Sequence, residues 1–109
     1  MAFDEGLAER VREGLSRRSD LSERKMFGGL CFMLGGNMCC GVVGEELMLR
    51  VGPDAYESTL ALEHAREMDF TGRSLRGMVY VATDGLSEDS QLDEWLRLAV
   101  DFAASLPAK

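Results

Sequence analysis

The residues best able to do chemistry in this sequence of 109 residues are three cysteines and one histidine. Cys31, Cys39 and Cys40 lie in segments predicted as strands, where a free cysteine usually behaves as a small buried hydrophobe. Their odd number, and the opposite directions expected for neighbours on a strand, do not suit a disulfide framework. Thiol chemistry at Cys39 or Cys40 stays open, because it requires exposure and a lowered thiol pKa. His64 lies on a different element, so we predict no metal site and no cofactor.

Three arginines form a second candidate site. Arg50, Arg73 and Arg76 are expected around the outer surface of the predicted sheet, and guanidinium groups suit phosphates and carboxylates. They are the candidate ligand-binding residues for a small anion, whether the protein is a binder or an enzyme. The favoured alternative is that they pair with some of the 19 acidic residues, as surface charges usually do. We find no catalytic motif and predict a protein that is not an enzyme.

The overall charge and hydropathy exclude two classes of function. Twelve basic and 19 acidic residues give a net charge of -7, which repels a phosphate backbone and predicts no direct binding of nucleic acid. No apolar run approaches the roughly 20 residues that span a bilayer, which predicts no membrane segment. The N-terminus lacks the features of a secretory signal, so we expect a cytoplasmic location. The length predicts one domain, residues 1–109.

Apolar periodicity divides the chain into alternating helices and strands. Period-two alternation surrounds the turn signal Gly35-Gly36 and predicts a three-stranded antiparallel meander. Gly28 and Gly29 precede it, and we predict a bend or bulge there after a polar connector, 19–25. The predicted elements are helix 3–18, strands 30–34, 38–43 and 47–51, helix 54–65, strands 67–71 and 78–83 around a turn at 72–74, and helix 87–106.

This order predicts an α+β two-layer sandwich, α-β-β-β-α-β-β-α, with the helices on one face of an antiparallel sheet. The opposite face would then be exposed. By alternation it should carry Cys31, Met33, Met48 and Arg50, if the residues that alternate with them point inward, namely Leu30, Phe32, Leu47 and Leu49. Methionine-bearing apolar surface commonly marks a contact site, so we predict that this face is an interface, in a homodimer or with another protein. The alternative is a monomer whose sheet faces water, which antiparallel sheets tolerate.

Several separated segments form a recognisable pattern, namely Met26–Phe32, Leu49–Val51, Phe70, Gly72–Arg73 and Met78–Tyr80. In this order they resemble the TfoX/Sxy N-terminal domain family, and the resemblance covers nearly the whole chain. The resemblance implies the same helix and strand order, in a stand-alone N-terminal domain without the C-terminal helical domain of full-length competence regulators. It also implies a non-enzymatic regulatory role, with an unidentified protein as partner. The family has no catalytic residues to transfer.

Overall fold

The computed structural model describes the backbone of residues 3–26, 28–70 and 73–107, and the side chains of these residues except 68–70 and 73–76. This part of the chain forms three α-helices and six strands. In chain order they are α1 (Glu5–Gly14), β1 (Leu21–Met26), β2 (Gly29–Leu34), β3 (Asn37–Val43), β4 (Glu46–Arg50), α2 (Gly52–Leu60), β5 (Ala65–Phe70), β6 (Arg73–Val81), a 3-10 turn (Thr83–Gly85) and α3 (Asp89–Ser105).

The strands form one antiparallel sheet in the order β1-β2-β3-β4-β6-β5. The predicted α+β class, with the helices on one face, is confirmed. The structure adds one strand to the prediction, because the supposed polar connector 19–25 contains most of β1. The four central residues of β1 are exposed, as expected for a charged edge strand that discourages pairing with other chains.

Glycines with positive φ angles lie in the reversals between successive strands of the sheet. Gly35 and Gly36 have φ angles of 58° and 84°, which is the geometry that a two-residue hairpin requires, and the predicted turn there is confirmed. Gly28, at φ 74°, lies in the turn between Met26 and Gly29, which face each other across the β1–β2 hairpin. The predicted bend or bulge at Gly28 and Gly29 is therefore wrong. Gly29 instead permits close approach, since a Cβ there would collide with the carbonyl oxygen of Val42.

The main core lies between the sheet and the three helices. α3 packs across β2, β3 and β4, while α1 contributes Val11 and α2 contributes Tyr56. The strands fill this face with branched and aromatic side chains. Those with a relative exposure of 2% or less are Phe32, Leu34, Val42, Leu47, Leu49, Val79 and Val81.

The predicted C-terminal helix is confirmed, with a different start. α3 begins after Glu88, whose backbone N–H donates to Gln91 Oε1 at 2.9 Å in a capping box. Ser87, the first residue of the predicted helix, lies before this cap and donates its hydroxyl to the same Gln91 oxygen. Beyond the helix, the buried Asn37 side chain donates to the carbonyl oxygen of Pro107 at 2.9 Å. This bond ties the C-terminal end of α3 to the β2–β3 hairpin.

The other two helices are shorter than predicted. α1 starts after Asp4, whose carboxylate accepts a bond from the Leu7 N–H at 3.0 Å. α2 starts at Gly52 and stops at Leu60, because the chain turns early into β5. Within the described part of the chain, no helix has the length and apolar character that crossing a membrane requires.

Candidate interaction face of the sheet

The sheet face opposite the helices carries a second apolar cluster, which we call the methionine face. Its buried members are Cys31, Met33, Met48 and Tyr80, and its half-buried members are Met26, Met38, Val43 and Met78. Five of the seven methionines of the chain are in this cluster. Among the described residues, the buried apolar side chains of all three helices belong to the main core instead.

Strand alternation and one bulge place these side chains together. Cys31 and Met33 alternate with the core residue Phe32 on β2, as the sequence predicted. On β3 the register shifts, so that Phe32 faces Cys40 and Met33 faces Met38. The bulge turns Met38 onto the methionine face.

The same bulge overturns one expectation about the adjacent cysteines. Cys39 is the extra residue of the bulge, and both Cys39 and Cys40 contact the main core instead of pointing to opposite faces. A hydrogen bond between the Cys39 and Cys40 side chains is the main cause that raises the pKa of the Cys40 thiol well above its ordinary value, and burial is the second cause. Burial also raises the pKa of Cys31 to about 11. Because a thiolate is the reactive species, these positions do not favour thiol nucleophiles.

The centre of the methionine face is filled by one long side chain lying over a glycine. Gly41 on β3 faces Met48 on β4 and Cys31 on β2. A Cβ at position 41 would be 2.7 Å from the Met48 methyl carbon, so that methyl group occupies the space which any other residue would fill. The unbranched methionine side chain can therefore lie flat across the neighbouring strand.

This packing corrects the predicted exposure of the face. Cys31 and Met48 have relative exposures of 0%, and Met33 has 9%. The prediction that they are exposed is wrong, because side chains from neighbouring strands cover them. Their predicted role as interface residues stays a prediction. The surface that a partner would touch belongs mainly to the half-buried rim of Met26, Met38, Val43 and Met78.

Arg50 was predicted both for this interface and for an anion site, and the structure gives it other contacts. Its guanidinium carbon lies 5.2 Å from the centre of the Phe102 ring on α3, within range of a cation–π interaction. Its Nη1 also donates to the carbonyl oxygen of Met38 at 3.4 Å. Arg50 thus connects the end of β4 to the helix layer. The side chains of Arg73 and Arg76 lie outside the described residues, so the predicted anion site stays a prediction.

Charged groups border the methionine face at the β5 edge. The guanidinium carbon of Arg66 lies 4.6 Å from the centre of the Tyr80 ring. Arg66 Nε donates to Glu46 Oε2 at 3.1 Å, and Arg66 Nη2 donates to the other oxygen of that carboxylate. At the opposite edge, the exposed Arg24 on β1 faces Cys31. The apolar centre is therefore bounded by an arginine on each edge strand.

The sequence prediction missed Met26, Met38, Met78 and Tyr80 as members of this face. Met26 was missed because β1 was not recognised, and Met38 because its direction depends on the bulge. Tyr80 and Met78 were available from alternation along the last predicted strand. Once β6 is paired with β4, Met48 faces Tyr80 directly.

The arrangement offers a packed apolar surface with a charged border. Among the described residues, His, Cys, Asp and Glu do not come together in groups of three that could hold a metal ion.

The fold and this face together define an α+β domain with one helix-covered and one open sheet face. The model of the TfoX N-terminal domain matches residues 13–103. The chain belongs to the TfoX N-terminal domain family, which is a regulatory type of domain family and not a known enzyme family. No curated protein matches the chain.

Proposed function

We propose that this protein is a non-enzymatic regulatory module that acts by binding a protein partner through the methionine face. The observation that carries the proposal is the gathering of five methionines on the sheet face opposite the helices. Membership of the TfoX N-terminal domain family supports a regulatory role.

The physical case rests on what methionine does at a surface. Its flexible, polarisable side chain adapts to different partners, and methionine-rich surfaces are common where proteins bind one another. Here Met48 and Cys31 belong to a filled layer of buried side chains, against which the half-buried Met38 and Met78 pack. A filled layer of this kind presents a broad surface, which suits a protein better than a small ligand.

The proposal includes a cytoplasmic setting and no direct contact with duplex DNA. The free cysteines Cys31, Cys39 and Cys40 are consistent with a reducing compartment. The net charge of -7 opposes association with phosphates, so a regulatory effect on genes would pass through the protein partner.

Affinity capture from the native cell extract with three matched baits tests the proposal. The first bait is the unmodified protein. The second, Met38→Glu with Met78→Glu, places two charges on the rim. The control, Ser58→Glu with Ala104→Glu, adds the same charge at exposed positions on α2 and α3. We expect one partner to be retained by the unmodified protein and the control and lost from the rim variant. A partner that the rim variant still retains contradicts the proposal.

A second copy of the chain is one partner that this face suits, since two-fold homodimers are the commonest oligomers. Sedimentation equilibrium over a range of micromolar concentrations measures it. Self-association gives a species of twice the 12.0 kDa chain mass, and the rim variant should remain at the mass of one chain. The mass of one chain at every loading would refute self-association and leave a different protein as the proposed partner.

A further inference from the structure

A groove on the helix side of the molecule lies away from the methionine face. It is formed by the loop after α2, the 3-10 turn and the first half of α3, and it encloses about 230 Å³. Leu62, Trp95 and Leu98 supply its apolar lining. Leu62 is 47% exposed, and it is the one large apolar side chain classed as exposed among the described residues.

One wall of the groove is held in place by an unusual backbone conformation. His64 has a φ of 78°, the one positive φ at a non-glycine residue in the described chain. Its carbonyl oxygen accepts a bond from the Ala82 N–H at 2.9 Å. Gly85 allows the close approach, since a Cβ there would be 2.7 Å from the His64 Cβ. The Trp95 indole N–H donates to the Gly85 carbonyl oxygen at 3.1 Å. This bond fixes Trp95, which forms the floor of the groove, against the wall that contains His64 and Gly85.

This conformation has a structural explanation, because His64 also turns the chain from α2 into β5. The turn explains the backbone conformation, but it does not explain why apolar and acidic side chains line the groove. Histidine tolerates a positive φ better than most residues do. The conformation is still unfavourable for an L-residue, and it is most often retained where the surrounding contacts impose it. Here two separate contacts, at Ala82 and Gly85, impose it.

The rim of the groove is acidic. Glu63 and Glu94 are exposed, and Glu63 Oε2 lies 3.2 Å from His64 Nε2. The described lining contains no lysine or arginine to neutralise these carboxylates. The chain as a whole carries a net charge of -7, so the groove favours a cation over an anion.

We propose that this groove is a binding site for a single arginine side chain presented by a protein partner. The arginine stem would lie on Leu62 and Leu98, because long cationic side chains bury their methylene groups on apolar surface. Its guanidinium group would meet the Glu63 and Glu94 carboxylates and the indole of Trp95, a combination that suits guanidinium through both charge and ring stacking. The volume is below the roughly 300 Å³ at which small-molecule sites begin, and therefore suits one side chain.

The single tryptophan of the chain lines the groove and provides the measurement. Trp95 fluorescence is followed during titration with blocked arginine, Nα-acetyl-arginine amide, at constant ionic strength. The matched ligand is Nα-acetyl-citrulline amide, which has the same shape without the charge. We expect saturable binding of the arginine compound with a Kd on the order of 1 mM, since one side chain offers few contacts. Citrulline should bind at least about tenfold more weakly.

Charge variants locate the site. Glu94→Gln should weaken binding about threefold, and Glu63→Gln with Glu94→Gln about tenfold, as expected for partly solvated charge pairs. Asp101→Asn removes one charge from an exposed position of the same helix outside the groove lining and should leave the Kd unchanged. An unaltered Trp95 emission maximum in each free variant shows that the floor is intact.

Three results would overturn the proposal. One is the absence of a saturable change with arginine, and another is equal affinity for arginine and citrulline. The third is an equal loss of affinity in Asp101→Asn and Glu94→Gln, because general attraction to an acidic protein would then account for the binding.

Discussion

Both faces of the sheet carry buried apolar side chains, but the kinds of side chain differ between the two faces. On the helix-covered face, Leu47 and Val79 pack into the main core, to which the three helices contribute side chains. On the methionine face, Met48 lies flat over Gly41, and neighbouring strands supply the cover. Both Leu47 and Met48 have a relative exposure of 0%. Burial therefore does not require a covering helix when long, unbranched side chains lie over small ones, and such a layer can still meet a partner through its rim.

The largest expected effect lies on the helix-covered side, at Trp95. We expect Trp95→Ala to lower the free energy of unfolding by about 3–5 kcal/mol, because it removes the largest side chain of α3 from the core. It also leaves the Gly85 carbonyl oxygen without the indole donor. Urea unfolding measures the change. A loss below about 1 kcal/mol would mean that Trp95 contributes little to the main core.

Neighbouring substitutions compare the two faces directly. Leu47→Ala should cost about 3–4 kcal/mol, since the surrounding helices and strands limit collapse into the cavity. Met48→Ala should cost less, about 2–3 kcal/mol, because flexible methionines on an open face can move into the space. The same urea unfolding experiment compares both variants with the unmodified protein. An equal or larger loss for Met48→Ala would show that the methionine face is as rigid as the main core.

The smallest effect concerns the charged edge strand. Arg12 Nε donates to Glu23 Oε2 at 2.6 Å, and this bond lowers the pKa of Glu23 below its ordinary value of 4.5. A lowered pKa in the folded state contributes stability above the unfolded pKa, and the contribution is lost as pH falls through the folded pKa. Glu23→Gln should therefore destabilise the protein at pH 7 by less than about 1 kcal/mol, because the pair is partly solvated.

The difference between Glu23→Gln and the unmodified protein should shrink as the pH falls below 4.5. Glu57→Gln, at an exposed position on α2, is the matched control and should change little at either pH. If the difference in the free energy of unfolding does not depend on pH, the ion pair between Arg12 and Glu23 is not its cause.

Local patterns predicted the parts of the fold whose structure is locally determined. The meander and α3 follow from alternation and from an unbroken apolar stripe, and both are confirmed. β1 was missed because an edge strand buries little and keeps charged residues such as Glu23 and Arg24. Its pairing with β2 cannot be recognised from its own composition.

The candidate face was predicted in part. Alternation placed Cys31, Met33 and Met48 on one face, whereas their burial depends on side chains from several strands. The direction of Met38 depends on the bulge at Cys39, which is set by pairing with β2 and not by β3 alone. Position along a strand was therefore predictable, and exposure was not.

Photo-crosslinking in the native cell most directly tests whether the methionine face is the contact surface. A benzophenone side chain replaces Met78 on the rim or, as control, Ala104 on the exposed side of α3. If the methionine face is the contact surface, one discrete protein is crosslinked from position 78. This product is absent from position 104 and is suppressed when Met38→Glu is added. A discrete product from position 104 alone, or one from position 78 that Met38→Glu leaves unchanged, would contradict it.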